Sequence, residues 1–402
     1  MRGRIIGVFL MSVIFSCGKP AEVKQKLIET DSSESNNLAV FLNHYEHIFK
    51  LNLGVTGCPG AAVAIVKDTS VIFMKGFGEK ELGKNDPVTE NTVFRIGSIS
   101  KGFASVLTAM LVDKKILSWE DRIVDHVPYF ELRDTAQTRR LRIKHILSHT
   151  TGLPSQSLSS LIEDGEPLPD MIVKLKKLKP DTVEGTSFAY QNVAYSIIQE
   201  VVVSKTGKEY NEWITEIFKK AGMKNASITY DGLMNTADKS MPHIQKKNDN
   251  WEVKPIHDKY FNVPAAAGVN ASISDMAQWL KVIMGNKPEV IPKKSLEFIH
   301  TPYIVHDSLN YFQQWVGISS AGYGMGFMIM QYQGHKIVWH SGTLNDFKSL
   351  IAFDPEEQIG ICILFNAIVP YYKIAIPEFF EMYYMYKEME VQSLKHEGKN
   401  EI

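Results

Sequence analysis

Ser98 and Lys101 are the residues whose types and spacing are best suited to covalent chemistry. They lie between a strand predicted over residues 92–96 and a helix predicted over residues 102–112. Residues three apart share a helix face, so the hydroxyl and the amine can meet. A desolvated amine has a lowered pKa and can accept the serine proton, and a helix N-terminus favours negative charge beside the serine. The pair predicts acyl transfer, although the spacing alone also fits a solvated lysine in a first helical turn.

The helix predicted after this pair favours the catalytic interpretation. Residues 102–112 read GFASVLTAMLV, which is apolar nearly all round, as in a helix buried at the centre of a domain. A lysine at the mouth of such a helix is costly unless it has a partner or a purpose.

Four segments carry a resemblance to known proteins. Residues 91–101 read NTVFRIGSISK, residues 146–154 ILSHTTGLP, residues 184–192 EGTSFAYQN and residues 338–343 VWHSGT. In this order they resemble the motifs of the serine β-lactamase and penicillin-binding-protein superfamily, and most of all its class C β-lactamase, DD-peptidase and esterase branch. The resemblance runs from about residue 59 to about residue 367, and it implies an α/β fold. In that fold an antiparallel sheet built from both chain ends is flanked by helices and carries an inserted, mainly helical lobe.

The resemblance also implies roles for individual residues. Ser98 is the nucleophile, Lys101 its base, and Tyr190 relays protons to the leaving group or to the deacylating water. Asn192 holds a substrate carbonyl or amide. The backbone N–H groups of Ser98 and Thr343 form the oxyanion hole.

His340 and Gly342 form the third motif and are expected to contact substrate. His340 stands where the β-lactamases of the family have lysine, so the resemblance predicts β-lactam hydrolysis less firmly than it predicts a serine hydrolase. Members of the family with His-x-Gly at this motif include peptidases and esterases. An imidazole with an ordinary pKa near 6.5 is charged only in acid. We therefore expect preference for carboxylate-bearing substrates to rise as pH falls.

Three other patterns are interpreted as structural. Residues 205–207 read KTG but end a predicted helix, which makes Gly207 a helix stop. Residues 260–262 fit Tyr-x-Asn without the flanking motif and are expected to form a loop at the site rim. His145 and His149 are four apart but lack the surroundings of a zinc site, so no metal and no cofactor are predicted.

Composition excludes some classes of function. With 44% hydrophobic and 22% charged residues in 402, the chain can form a large core. A net charge of −1 offers no basic field for nucleic acid. We expect a monomer that binds a small molecule or a cell-wall peptide. Cys58 and Cys362 are taken as buried free thiols, although sequence does not decide whether they pair.

The first residues form an export signal rather than part of the fold. Residues 1–16 combine two arginines with a short apolar run, and Cys17 follows as in a bacterial lipoprotein signal; a plain secretory signal is the alternative. We predict a lipid-attached tether over residues 17–37, a hydrolase domain over residues 38–390 and a flexible tail over residues 391–402. The protein would then lie in the bacterial cell envelope, on the periplasmic side or the outer surface, and meet the membrane only through its lipid.

The sequence predicts a serine hydrolase that forms an acyl-enzyme with an ester, a D-amino-acid peptide or a β-lactam. The alternative is a penicillin- or cell-wall-peptide-binding or sensing module that does not turn over. Sequence does not name the substrate, because the loops around a cleft set specificity.

Overall fold

The computed structural model describes residues 37–247, 250–305 and 315–400. Among these residues, no helix combines the length and the apolar character that crossing a bilayer requires. The predicted signal peptide, Cys17 and all of the predicted tether except Asn37 lie outside the described residues, so they stay predictions.

Strands from both halves of the described chain build the main sheet. The strands are β1 (Gly60–Lys67), β2 (Ser70–Gly78), β3 (Val93–Arg95), β4 (His243–Gln245), β5 (Trp251–Val253), β6 (Asn270–Ser272), β7 (Ile304–Val305), β8 (Ile318–Tyr323), β9 (Met328–Tyr332), β10 (His335–Leu344), β11 (Phe347–Asp354) and β12 (Ile359–Phe365). Eight of them form one sheet in the order β2-β1-β12-β11-β10-β9-β8-β7, with antiparallel neighbours throughout.

The pairing of β1 with β12 joins the early and late parts of the chain. Ala61 lies opposite Phe365, and Lys67 lies opposite Ile359. Every residue of β12, and all of β1 except Lys67, is buried, because both faces of these central strands are covered. The prediction that the two ends of the chain share one antiparallel sheet is confirmed.

Helices cover the sheet and form the inserted lobe. They are α1 (Asn37–Thr56), α2 (Ser100–Asp113), α3 (Ile123–His126), α4 (Thr135–Arg140), α5 (Ile143–Leu147), α6 (Ser159–Glu163), α7 (Leu168–Lys174), α8 (Asn192–Thr206), α9 (Tyr210–Ala221), α10 (Tyr230–Met234), α11 (Pro264–Ala267), α12 (Ile273–Ile283), α13 (Lys293–Ile299) and α14 (Ala375–Asn400). Helix α12 packs on β1 and β12, whereas α3 to α10 lie between β3 and β4 in the chain. The predicted α/β architecture with an inserted, mainly helical lobe is therefore confirmed.

The described chain divides into two compact units. Residues 47–381 form the larger unit, and residues 37–46 form a smaller one together with residues 382–400. Within the smaller unit, Phe41 stacks on Tyr386 with ring centroids 5.5 Å apart. The backbone of residues 391–400 continues α14, and the flexibility of the predicted tail stays a prediction.

Both described cysteines are free thiols, which answers the question that the sequence left open. Cys362 is buried in β12, as expected. Cys58 is only half-buried, and its thiol donates to the carbonyl of Gly60 at 3.5 Å.

Candidate active site

Ser98 lies in a tight turn between β3 and α2. Residues Gly97–Ile99 form one turn of 3-10 helix, and α2 begins at Ser100, two residues earlier than predicted. Gly97 has φ of +52°, and a Cβ there would lie 2.9 Å from the backbone nitrogen of Thr343. Ser100 Oγ donates to the Gly97 carbonyl at 2.6 Å and accepts from the Val269 N–H at 3.0 Å. The glycine and the second serine of the motif thus hold the turn that presents Ser98.

Lys101 reaches Ser98 from the first turn of α2, as the spacing predicted. Its Nζ lies 3.3 Å from Ser98 Oγ, 2.7 Å from Asn192 Oδ1 and 3.0 Å from the Ala266 carbonyl oxygen. The residue is fully buried, and no carboxylate of the described residues forms an ion pair with it. Burial holds the pKa of the Lys101 amine well below its ordinary value of 10.5.

These contacts suit a neutral amine. Asn192 Oδ1 and the Ala266 carbonyl can only accept, so they take the two N–H groups that a neutral amine possesses. The lone pair is then left for the third neighbour, the hydroxyl of Ser98. Asn192 is held in this orientation because its Nδ2 lies 3.5 Å from Gln156 Oε1. Whether Asn192 also contacts substrate, as predicted, stays a prediction.

The rings of Tyr190 and Tyr195 lie beside the amine and form an aromatic wall of the site. The ring centroid of Tyr190 lies 4.6 Å from Lys101 Nζ, and that of Tyr195 lies 5.4 Å away. The Tyr195 hydroxyl donates to the Lys101 carbonyl at 2.8 Å and lies 2.8 Å from Ser105 Oγ. Tyr190 is 8% exposed, so it lies at the border of the wall. Its predicted proton relay stays a prediction.

His149 connects the ILSHTTGLP segment to Tyr190. Its ring lies 4.2 Å from the Tyr190 ring, and its Nδ1 accepts from the Gln191 N–H at 3.1 Å. Burial lowers the pKa of His149 well below 6.5, so the ring is neutral, with its hydrogen on Nε2. Its backbone carbonyl accepts from the Ala189 N–H at 2.8 Å. His149 therefore positions Tyr190.

His145 has a structural role at the start of α5. Its Nδ1 accepts from the Arg142 N–H at 3.2 Å at the start of α5. Within residues 37–247, 250–305 and 315–400, no group of three or more His, Cys, Asp or Glu residues is arranged to hold a metal ion.

The third motif borders the turn of Ser98. Strand β9 pairs with β10 only as far as Trp339, whereas β11 pairs with β10 from Val338 to Leu344 on the other side. Beyond Trp339, β10 runs beside the Gly97–Ile99 turn: a Cβ on Gly342 would lie 1.9 Å from the Ile96 carbonyl oxygen. Gly342 thus lies close to Ile96, and Gly97 lies close to the backbone nitrogen of Thr343. The two expected oxyanion donors, the N–H groups of Ser98 and Thr343, therefore belong to adjoining segments. Their action on a substrate oxyanion stays a prediction.

His340 differs from the sequence expectation. It is 2% exposed, its Nδ1 lies 2.8 Å from the Ser341 carbonyl oxygen and its Nε2 lies 3.2 Å from the Tyr323 hydroxyl. Burial lowers the pKa of His340 to about 3. The burial argues against the expected titration near 6.5, because a buried imidazole binds a proton less readily than one in water.

Two of the patterns interpreted as structural are confirmed as such. Gly207 follows the end of α8 with φ of +67°, so residues 205–207 are a helix end. Residues 260–262 lie in a loop, where Phe261 packs 4.5 Å from the buried guanidinium of Arg95. Asn262 Nδ2 donates to the carbonyls of Ile162 and Glu166 rather than toward a nucleophile.

Sequence reasoning missed two contributors to the site. The first is the carbonyl of Ala266, which accepts from the Lys101 amine. Tyr195 could have been found, because it lies three residues after Asn192 on the same face of α8.

Comparisons with known proteins identify the family and the fold. The family model described as Beta-lactamase matches residues 47–371, most of the chain. The chain therefore belongs to the beta-lactamase family, which confirms the resemblance at family level. A solved structure, that of the octameric penicillin-binding protein homologue from Pyrococcus abyssi, matches with a TM-score of 0.75 and 24% identity over 85% of this chain and 77% of that one.

Two curated relatives match this chain over only part of their own length. Protein flp of Staphylococcus aureus is 26% identical over 313 residues, which are 77% of this chain and 59% of that protein. The unguisins hydrolase ungD' of Aspergillus campestris is 25% identical over 345 residues, which are 81% of this chain and 61% of that protein. The match thus spans about three fifths of either relative.

Proposed function

We propose that this protein is a serine hydrolase that forms an acyl-enzyme at Ser98 with an ester, a D-amino-acid peptide or a β-lactam. The observation that carries the proposal is the buried Lys101 amine, 3.3 Å from Ser98 Oγ, with its N–H groups directed to two acceptors. A neutral amine in this position is a general base for a hydroxyl that is otherwise a poor nucleophile.

The proposed acylation uses only groups of this chain. Lys101 accepts the Ser98 proton while Oγ forms a bond to the substrate carbonyl carbon. The carbonyl oxygen becomes an oxyanion that accepts from the N–H groups of Ser98 and Thr343; loss of one such donor typically slows reaction by about 100- to 1000-fold. The oxyanion collapses, the bond to the leaving group breaks, and the lysine proton passes to that group directly or through Tyr190.

The proposed deacylation reverses these steps with water. A water molecule gives a proton to the Lys101 amine, directly or through the Tyr190 hydroxyl, and its oxygen attacks the ester carbon. The bond from that carbon to Ser98 Oγ then breaks, and Oγ takes the proton back from Lys101. A protein that acylates without this second half-reaction would be the binding or sensing module considered from the sequence. The name of the unguisins hydrolase supports turnover in this family.

The test is covalent labelling followed by turnover. We expect a fluorophosphonate or fluorescent penicillin to label the protein at Ser98, with no labelling of Ser98→Ala and normal labelling of the exposed-loop control Ser118→Ala. Labelled Ser98→Ala would refute the assignment. Intact mass over time, with p-nitrophenyl esters, nitrocefin and D-Ala-D-Ala peptides, then separates a hydrolase from a protein that stays acylated.

We further propose that the protein is exported and lipid-anchored at Cys17 in the cell envelope. The charged leader, the short apolar run and the Ser16-Cys17 junction support this proposal. Cys17→Ser should move the protein out of the membrane fraction or block removal of the leader. An unmutated mature protein that is soluble, or that begins at another residue, would contradict it.

A further inference from the structure

Ser349 makes a contact beside the active site that the proposed mechanism does not use. It lies on β11 directly opposite Gly342 of the third motif, and it is 1% exposed. Its hydroxyl donates to the Ile96 carbonyl at 2.7 Å. Ile96 immediately precedes the Gly97–Ile99 turn, so this hydrogen bond joins β11 to the backbone that leads into the turn.

The backbone of Ile96 is held on both sides. Its N–H donates to the Val269 carbonyl at 3.2 Å, and its carbonyl accepts from the Ser349 hydroxyl. The Ile99 N–H makes a longer bond to the same carbonyl, at 3.4 Å. A shift of this carbonyl would move the residues that follow it in the turn, and Ser98 is one of them.

Two glycines let the turn and β10 approach closely. A Cβ on Gly342 would lie 1.9 Å from the Ile96 carbonyl oxygen and 2.5 Å from the Ser349 hydroxyl oxygen. A Cβ on Gly97 would lie 2.9 Å from the backbone nitrogen of Thr343. Because neither glycine has a side chain, other groups have to set the separation of the two segments. The Ser349 hydroxyl is placed to do so, since its bond reaches from β11 past Gly342 to the turn.

We propose that Ser349 is a positioning residue, which fixes the separation of the two N–H groups, those of Ser98 and Thr343, that bind the oxyanion. The inference rests on the proposed function. Ser349 is buried and acts through the Ile96 carbonyl rather than by contact with the substrate. Two donors stabilise a developing oxyanion fully only when both lie at hydrogen-bonding distance from it. A small displacement of the turn therefore weakens the stabilisation without removing either donor.

The experiment compares an ester with the matching thionoester, in which sulfur replaces the carbonyl oxygen. Sulfur accepts hydrogen bonds less well than oxygen and lies farther from the carbon, so the thionoester gains less from the two N–H groups. We expect kcat/KM for the ester to fall about 10- to 100-fold in Ser349→Ala, and the ester-to-thionoester ratio to fall about 10-fold. Ser349→Cys keeps a side chain of similar shape with a weak donor, so it should lower the ratio too.

Ser240→Ala is the matched control. Ser240 is fully buried, and its hydroxyl donates to the carbonyl of Lys80 at 3.1 Å, outside the proposed site. The control should lower the melting temperature, as Ser349→Ala does, but keep the ester-to-thionoester ratio of the unmutated protein. If Ser349 only stabilises the fold, its variants will behave like the control. An unchanged ratio in folded Ser349→Ala and Ser349→Cys would thus refute the positioning role.

Phosphorus NMR examines the same donors without turnover. Fluorophosphonate labelling leaves a phosphonyl group on Ser98, and its P=O oxygen takes the place of the oxyanion. We expect its chemical shift to change in Ser349→Ala and to stay the same in Ser240→Ala, because the shift responds to hydrogen bonds at that oxygen. An ester hydrolase in which Ser349→Ala changes neither the ratio nor the shift would refute this inference and leave the proposed function standing. An unmutated protein that neither hydrolyses the ester nor becomes labelled would refute both.

Discussion

Asn192→Asp tests whether Lys101 acts as a neutral base. The substitution keeps the shape of the side chain but places a carboxylate oxygen where Oδ1 now lies, 2.7 Å from Lys101 Nζ. The burial that lowers the pKa of the lysine is unchanged, so the new charge is the main perturbation. An anion at this distance favours the ammonium form and takes the base out of action.

The magnitude follows from the distance. Two unit charges 2.7 Å apart attract by about 6 kcal/mol at an effective dielectric constant of about 20. This corresponds to about four pKa units, and desolvation of the carboxylate takes back part of it. We therefore expect the pKa of Lys101 to rise by at least about two units, which slows acylation by about 100-fold or more at pH values below the original pKa and by less as the pH approaches the new one.

The assay is the rate of fluorophosphonate labelling from about pH 5 to about pH 10. In the unmutated protein the rate should rise through the lowered lysine pKa, and in Asn192→Asp the same rise should come at higher pH. Gln156→Glu is the matched control: its charge would lie beside Asn192 rather than on the amine, so the shift should be smaller. Superimposable profiles for Asn192→Asp and the unmutated protein would show that Lys101 is not the base.

Two further substitutions test how the scaffold supports the site. Gly342→Ala would place a Cβ 1.9 Å from the Ile96 carbonyl oxygen. It should therefore lower the labelling rate, and it should lower the free energy of unfolding by about 1–3 kcal/mol. The control is Gly54→Ala in α1, where no atom lies within 4 Å of the new Cβ, and it should be neutral or stabilising in urea unfolding. Asp275→Ala removes a buried carboxylate that accepts from the Ser272 and Asn225 N–H groups, so urea unfolding should show a loss of about 1–2 kcal/mol while labelling per folded molecule persists. A fully stable Asp275→Ala would mean that this cap does not hold α12.

The sequence predicted the elements that have their own local pattern. The continuous apolar run at residues 60–66 corresponds to β1, because a strand covered on both faces needs no polar alternation. Strands β7 to β9 were missed, since β8 reads ISSAGY and only its pairing identifies it as a strand. Helix α12 begins with a capping box formed by Ser272 and Asp275.

The sequence predicted which side chains lie in the site, but it did not predict how deeply they are buried or which backbone groups they contact. The spacing of Ser98 and Lys101 indicated their contact, and the resemblance indicated the segment containing Asn192. The Ala266 carbonyl gave no signal, because every residue has a carbonyl and only the fold directs it. Burial decided His340 in the same way: its pKa depends on what covers the ring, and those neighbours are far away in sequence.

The contacts of Lys101 also bear on when the protein becomes reactive during folding. Its partners Asn192 and Ala266 are 91 and 165 positions away in the chain. The Ser349 hydroxyl donates to the Ile96 carbonyl beside the turn, and these two residues are 253 positions apart. Contacts at such separations form late, since large loops must close first. Until they form, Lys101 is solvated, protonated and unable to accept a proton from Ser98. Ser98 of an unfolded chain is therefore not activated for labelling. Labelling of Ser98 during refolding would report the completion of the native structure rather than the initial collapse of the chain.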